Sequence, residues 1–267
     1  MEYFVTCSGI PVHVSETGSG HNAIVLLHGY LETLYVWEEF RTLLPGSSHI
    51  VSIDLPGMGL SGSAQEVNSM QFCASVVRGL MDKLGLSRIH IVGHSMGGYV
   101  GQRFLRDYPD KILTLVNINS TPYADDPAKA TDREREISFI LNGKLVQLAQ
   151  IAIPNMYCKD NLRRCDEKIL ETVENCEAHD PSGVAAVVRG LMTREDNVQS
   201  LQSPSVPVMF IHGDSDVYNP KSRIDQIIAD LPSCTHLIVP HTGHNSFVEE
   251  PVHVAEAVTS FISRAGC

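Results

Sequence analysis

Along the chain, short solidly apolar segments alternate with stretches whose apolar residues recur at helical spacing. Ile10-Pro11-Val12-His13-Val14-Ser15-Glu16 alternates like a half-buried strand and runs into the turn-rich Thr17-Gly18-Ser19-Gly20. Ala23–Leu27 is an unbroken apolar run of strand length, and His49–Asp54 is predicted as a second buried strand, closed by Leu55-Pro56-Gly57. A helix is predicted over Val36–Leu44. Another is predicted near Met70–Leu84, where Phe72, Val76, Val77, Leu80, Met81 and Leu84 fall on one face. Strand Ile89–Val92, helix Met96–Asp107 and strand Ile112–Ile118 follow. After a long gap the rhythm resumes with strand Val208–His212, helix Ser222–Leu231, strand Leu237–Val239 and helix Pro251–Ile262. Buried strands alternating with amphipathic helices imply right-handed crossovers and a mostly parallel sheet flanked by helices, an α/β fold.

Residues 122–203 break the rhythm. They show helical periodicity, a charged opening at Asp132-Arg133-Glu134-Arg135-Glu136 and no strand pattern. Ordinary connections run to about 4–6 residues, so a stretch of about 80 is a structural unit of its own. The expected organisation is a core from residues 1–121 and 204–267, with a helical insertion, 122–203, sitting on the sheet.

Charge and cysteine usage narrow the partners. With 20 Lys and Arg against 31 Asp and Glu, the net charge of −11 repels nucleic acid and anionic lipid, so neither is an expected partner. No apolar stretch approaches the ~18–20 residues of a membrane span. The start, Met1-Glu2-Tyr3-Phe4-Val5-Thr6, lacks the basic and long apolar segments of a secretory signal. Seven scattered cysteines, Cys267 among them, form no Cys-x-x-Cys, which argues against a zinc site or a redox dithiol. Reduced thiols in a cytoplasmic protein are the expectation.

Gly93-His94-Ser95-Met96-Gly97 carries the chemistry. It stands directly after an apolar strand and before a helix, the setting of a nucleophile elbow. A serine on a sharp, strained turn projects its hydroxyl clear of the sheet. Gly93 and Gly97 flank it because a β-carbon there would collide with the packed strand and helix. The N–H of Met96, at the helix N-terminus, is left free to face a developing oxyanion. By itself the pentapeptide is a weak signal; its strand–turn–helix context is what gives it weight. Gly57-x-Gly59-x-x-Gly62 is better explained as a tight loop than as a nucleotide cradle, and no cofactor or metal is expected.

Taken together, Leu26-Leu27-His28-Gly29-Tyr30, Asp54-Leu55-Pro56-Gly57-Met58-Gly59-Leu60-Ser61, Gly93-His94-Ser95-Met96-Gly97-Gly98, Ile211-His212-Gly213-Asp214-Ser215-Asp216 and Gly243-His244 resemble the α/β-hydrolase superfamily over essentially the whole chain. The resemblance implies an eight-stranded, mostly parallel sheet with a helical cap after the sixth strand. It also implies a triad in the order nucleophile, acid, histidine: Ser95, Asp216 and His244. Asp214 is the rival acid, with a turn role as its plainer reading, and His241 the rival base. The second oxyanion donor is the N–H of Tyr30, after His28-Gly29. His94 is expected to pack beneath the elbow and His28 to serve as framework. Phe139, Met156, Tyr157 and Met192 are expected to divide between the insertion's own core and an acyl pocket.

Three functions follow. The first is a serine hydrolase of small or medium soluble esters, whose partner is a small-molecule ester. The second is carbon–carbon bond cleavage of the meta-cleavage type or a related lyase; Tyr99, where menaquinone-pathway lyases carry Arg, weakens the lyase form. The third is a non-catalytic ligand-binding protein on the same fold. Serine at 95 argues against haloalkane dehalogenases and epoxide hydrolases, which need aspartate there. Oligomeric state is not legible.

Overall fold

A computed structural model describes residues 1–63 and 66–265; Cys267 lies outside the described residues. The strands are β1 (Glu2–Cys7), β2 (Ile10–Thr17), β3 (Asn22–Leu27), β4 (Ile50–Ile53), β5 (Arg88–His94), β6 (Ile112–Ile118), β7 (Val208–Gly213) and β8 (Thr235–Val239). They form one sheet in the order β1-β2-β4-β3-β5-β6-β7-β8. β1 pairs antiparallel with β2 and β2 with β4; every pairing from β4 through β3 to β8 is parallel. The helices are α1 (Glu38–Thr42), α2 (Met70–Leu84), α3 (Met96–Asp107), α4 (Pro127–Leu141), α5 (Leu145–Ala152), α6 (Asp166–Asn175), α7 (Pro181–Met192), α8 (Val198–Leu201), α9 (Lys221–Asp230), α10 (Ser246–Glu249) and α11 (Pro251–Ala265). Helices α4–α8 lie between β6 and β7, with no strand in that interval among the described residues.

The solidly apolar strands are buried because each feeds two cores. In β3, Ala23, Val25 and Leu27 join one apolar cluster while Ile24 and Leu26 join the other. The two-residue repeat of a strand sends neighbours to opposite faces, so a strand covered on both must be apolar throughout. Val76, Val77 and Leu80 of α2 and Val100 and Phe104 of α3 cover the first face. Trp37, Phe40, Phe247, Val254 and Val258 cover the second. Two boundaries differ from the sequence reading. The predicted helix over Val36–Leu44 is a 3-10 turn (Leu34–Trp37) followed by α1, because Thr33 accepts the Tyr35 N–H and starts the turn early. β1 has too weak an alternation to stand out alone and is held by its register against β2.

No helix among the described residues is long and apolar enough to cross a membrane. The six described cysteines are free and buried.

His212 on β7 carries a predicted cost. It is buried in a cluster of three near-parallel rings, its centroid 6.0 Å from those of both Phe210 and His236, and neither ring nitrogen has a partner among the described residues. Burial, reinforced by His236, pushes it down to about 4. Because the folded value lies below the unfolded one of about 6.5, between those values the unfolded chain holds a proton the folded chain does not. Stability therefore falls as pH drops from about 6.5 to about 4. His212→Phe keeps a stacked ring without the titration. Its stability gain in urea unfolding is expected to be about 2 kcal/mol larger at pH 5 than at pH 8; equal changes at both pH values would refute the account.

Candidate active site

Ser95 sits at the turn from β5 into α3 with φ +48 and ψ −109, a conformation that costs a non-glycine residue on the order of 1–3 kcal/mol. Its neighbours hold it there. Its N–H donates to the Ile118 carbonyl (2.9 Å), and its own carbonyl accepts from the Ser120 hydroxyl (2.8 Å). A Cβ at Gly97 would strike the Leu27 carbonyl, and one at Gly93 would strike the backbone of Gly97. The close approach of strand and helix that the two glycines permit is what aims the side chain outward.

The chain brings His244 and Asp216 to the same point. His244 Nε2 lies 2.8 Å from Ser95 Oγ, and its Nδ1 lies 2.8 Å from Asp216 Oδ2. The His244 N–H donates to the Met156 carbonyl (2.6 Å), as does the Asn245 N–H (3.0 Å), so the α5–α6 connection latches the histidine loop. Asp216 is buried at 3% exposure inside a cage of donors. Its Oδ1 accepts the N–H groups of Tyr218 (2.8 Å) and Asn219 (3.1 Å). Its Oδ2 accepts the side-chain amides of Asn119 (3.1 Å) and Asn219 (3.2 Å). Burial alone would raise this carboxyl, but the His244 imidazole and these donors outweigh it and hold it well below the usual carboxylate range. Asp214 is exposed and, among the described residues, accepts only from the Ser215 hydroxyl; His241 is exposed on the loop.

The N–H groups of Tyr30 and Met96 are not spent on surrounding backbone, and both residues line the cavity that contains Ser95 and His244. Two buried residues stand behind them. Glu32 Oε2 accepts the Gly29 N–H (2.7 Å) and meets His94 Nδ1 (2.8 Å), while His94 Nε2 meets the His244 carbonyl (2.9 Å). His94 thus packs beneath the elbow as expected. His28 is framework, its Nε2 accepting the Leu55 N–H (2.9 Å). The Asp54 carboxylate is spent on framework contacts, the N–H groups of Leu34 and of Leu60 in its own loop and His13 on β2. Sequence reasoning missed Glu32, Asn119 and Asn219. Only Asn119 had a local signal, its place at the end of β6, and there it takes φ +49.

The cavity measures about 510 Å³, within the range of small-molecule sites. Met96, Ala152, Met156 and Leu191 give it apolar wall. Of the four insertion residues singled out in sequence, Met156 alone lines it; Tyr157 is buried, and Phe139 lies instead under Lys144. The opposite wall is charged. Asp125 lies between two arginines, 3.3 Å from Arg133 Nε and 2.7 Å from Arg194 Nη1, and Arg133 also reaches Glu136 (3.2 Å). No group of three or more His, Cys, Asp or Glu side chains is placed to hold a metal among the described residues.

Comparison with known proteins gives the family and the fold. A family model described as alpha/beta hydrolase fold matches residues 22–251. A pimeloyl-[acyl-carrier protein] methyl ester esterase of Aeromonas hydrophila is 26% identical over 261 residues, covering 94% of this chain and 99% of its own. A 2-hydroxy-6-oxononadienedioate/2-hydroxy-6-oxononatrienedioate hydrolase of Paraburkholderia phymatum is 25% identical, covering 87% and 84%. Among solved structures, a thermophilic esterase from Thermogutta terrifontis, with malate bound, superposes with a TM-score of 0.92 at 26% identity over 99% of both chains.

Proposed function

The chain belongs to the α/β-hydrolase fold family, and from that premise we propose that it is a carboxylic ester hydrolase working through an acyl-enzyme on Ser95. The observation that carries the reading is the unbroken relay of 2.8 Å contacts from Ser95 Oγ through His244 to Asp216. A serine hydroxyl is a poor nucleophile until a base takes its proton. His244 Nε2 takes it as Oγ attacks the ester carbon, and Asp216, held anionic by its donors, fixes the ring with its proton on Nδ1 and stabilises the imidazolium that forms. The tetrahedral oxyanion lies against the N–H groups of Tyr30 and Met96, the latter opening α3. His244 then hands its proton to the departing alcohol, and water repeats the cycle to release the acid. The helical insertion, 122–203, acts as a cap: it supplies Met156 and Leu191 to the cavity and the carbonyl that latches the histidine loop.

Carbon–carbon bond hydrolysis is the second reading, favoured by the likeness to the nonadienedioate hydrolase. A fluorophosphonate probe addresses the nucleophile in either case and is expected to add one mass label, mapped to Ser95. A panel of chromogenic esters run beside a vinylogous diketone then separates the two. Labelling elsewhere, or none in active protein, rules out the acyl-enzyme.

A further inference from the structure

The charged wall of the cavity has a surplus of donors. Four carboxylates stand on it, and each is engaged. Asp126 caps α4 by accepting the N–H groups of Ala128 (2.9 Å) and Lys129 (3.2 Å), and Asp132 pairs with Arg135 outside the cavity (3.2 Å). Asp125 is shared by Arg133 and Arg194, and Glu136 is taken by Arg133. The cations are not matched in the same way. Arg223 lies over the Tyr123 ring (4.8 Å) and Lys129 beside it on the wall; neither has a carboxylate partner among the described residues. Arg133 uses Nε and Nη1. Arg194, with its side chain 6% exposed and stacked on Tyr99 at 4.4 Å, uses Nε on the Tyr123 carbonyl and Nη1 on the Leu191 carbonyl, while its Nη1 makes an ion-pair contact, without a hydrogen bond, to Asp125 Oδ1. A guanidinium has five N–H donors in a fixed fork, and here the Nη2 of each arginine has no partner among the described residues. Neither Nη2 is a buried unpartnered atom, and both arginines line the cavity, so these N–H groups are accessible to a ligand's oxygens.

We propose that Arg133 and Arg194, backed by Arg223 and Lys129, form a subsite for a free carboxylate, so that the preferred substrate is an ester with a carboxylate remote from the scissile bond. This rests on the ester-hydrolase reading and adds the substrate class. Asp125 is the positioning residue: by bridging the two guanidinia it sets the spacing of their free N–H groups and keeps the empty subsite neutral enough to fold. A long alkyl chain, by contrast, would strip water from these ions and return nothing, which disfavours fatty acyl groups.

The carboxylate can belong to the acyl or the alcohol half, and matched pairs distinguish them: monomethyl glutarate against methyl pentanoate, and O-butyrylglycolate against ethyl butyrate. In one of the two pairs the charged ester is expected to have at least a tenfold higher kcat/KM, expressed mainly in KM and reduced by salt. Arg133→Gln and Arg194→Gln are each expected to collapse that ratio by tenfold or more. Arg223→Gln, at the rim and clear of the Asp125 network, should lower it severalfold with no effect on folding. Direct titration of Ser95→Ala with monomethyl glutarate and O-butyrylglycolate measures the subsite without turnover, and binding of one of them weakened tenfold by Arg194→Gln supports it. Equal or better turnover of both neutral esters by the wild-type protein overturns the subsite while leaving the hydrolase intact. Charged-ester binding to Ser95→Ala, with no ester turned over by the wild-type protein, would instead overturn the hydrolase reading and keep the subsite.

Discussion

Ester turnover is expected to fall by about 10⁶-fold in Ser95→Ala, the scale seen when serine proteases lose their nucleophile. The magnitude follows from the architecture. Without Oγ no acyl-enzyme forms, and what remains is whatever the two amide donors and the cavity do for direct attack by water, about 10³–10⁴ over the uncatalysed rate. The fold should not suffer. Alanine meets the same φ of +48 that serine does, so its melting temperature should match the wild type. Ser95→Gly removes the β-carbon from that strained turn and should be about 1 kcal/mol more stable while equally inactive. An inactive but more stable glycine variant would show that the elbow stores strain for geometry. Wild-type turnover in Ser95→Ala would remove the mechanism outright.

Asp216→Asn should lower kcat by about 10⁴, the scale on which a triad fails when its imidazole takes the wrong tautomer. The surrounding donors dictate this outcome. The N–H groups of Tyr218 and Asn219 require an acceptor at Oδ1, so the new amide nitrogen must replace Oδ2. There it faces the side-chain amides of Asn119 and Asn219, and it donates to His244 Nδ1 where the carboxylate accepted. The imidazole is then left with its proton on Nε2, pointing at Ser95 and unable to act as base. The same crowding of donors should destabilise the protein by about 1–3 kcal/mol, read by thermal melting. Asp214→Asn, two residues away and exposed, is expected to change kcat by less than about threefold. The reverse ranking of the two substitutions would transfer the acid role to Asp214.

Much of this was legible in the linear order because the relevant signals are local. Solid apolar runs such as Ala23–Leu27 announce strands buried on both faces. The glycines at 93 and 97 announce a crossing too close for a β-carbon. Loop-borne polar residues fixed by contacts far away in sequence leave no such trace. Asn119 meets Asp216 across 97 positions and Glu32 meets His94 across 62; Asn119 has only its place at the end of β6 to mark it, and nothing around Glu32 distinguishes it from an ordinary turn. The same holds for the Arg133–Asp125–Arg194 wall. In sequence, Asp132-Arg133-Glu134-Arg135-Glu136 reads only as the charged opening of the helical insertion, and the docking of α4 against α7 and the Leu191–Arg194 turn send Arg133 inward while Arg135 stays exposed.

The Glu32–His94 pair ties together parts of the site that arrive from different stretches of the chain. One carboxylate oxygen receives the Gly29 amide on one side and the imidazole on the other, and that imidazole reaches the carbonyl of residue 244. The loop of Gly29 and Tyr30 and the loop of His244 therefore hang from a single peg. Their separation is set by the length of one side chain and the width of one ring, so the two cannot drift independently. A shorter carboxylate at position 32 would pull both anchors out of register together, even though neither Gly29 nor His244 had been altered.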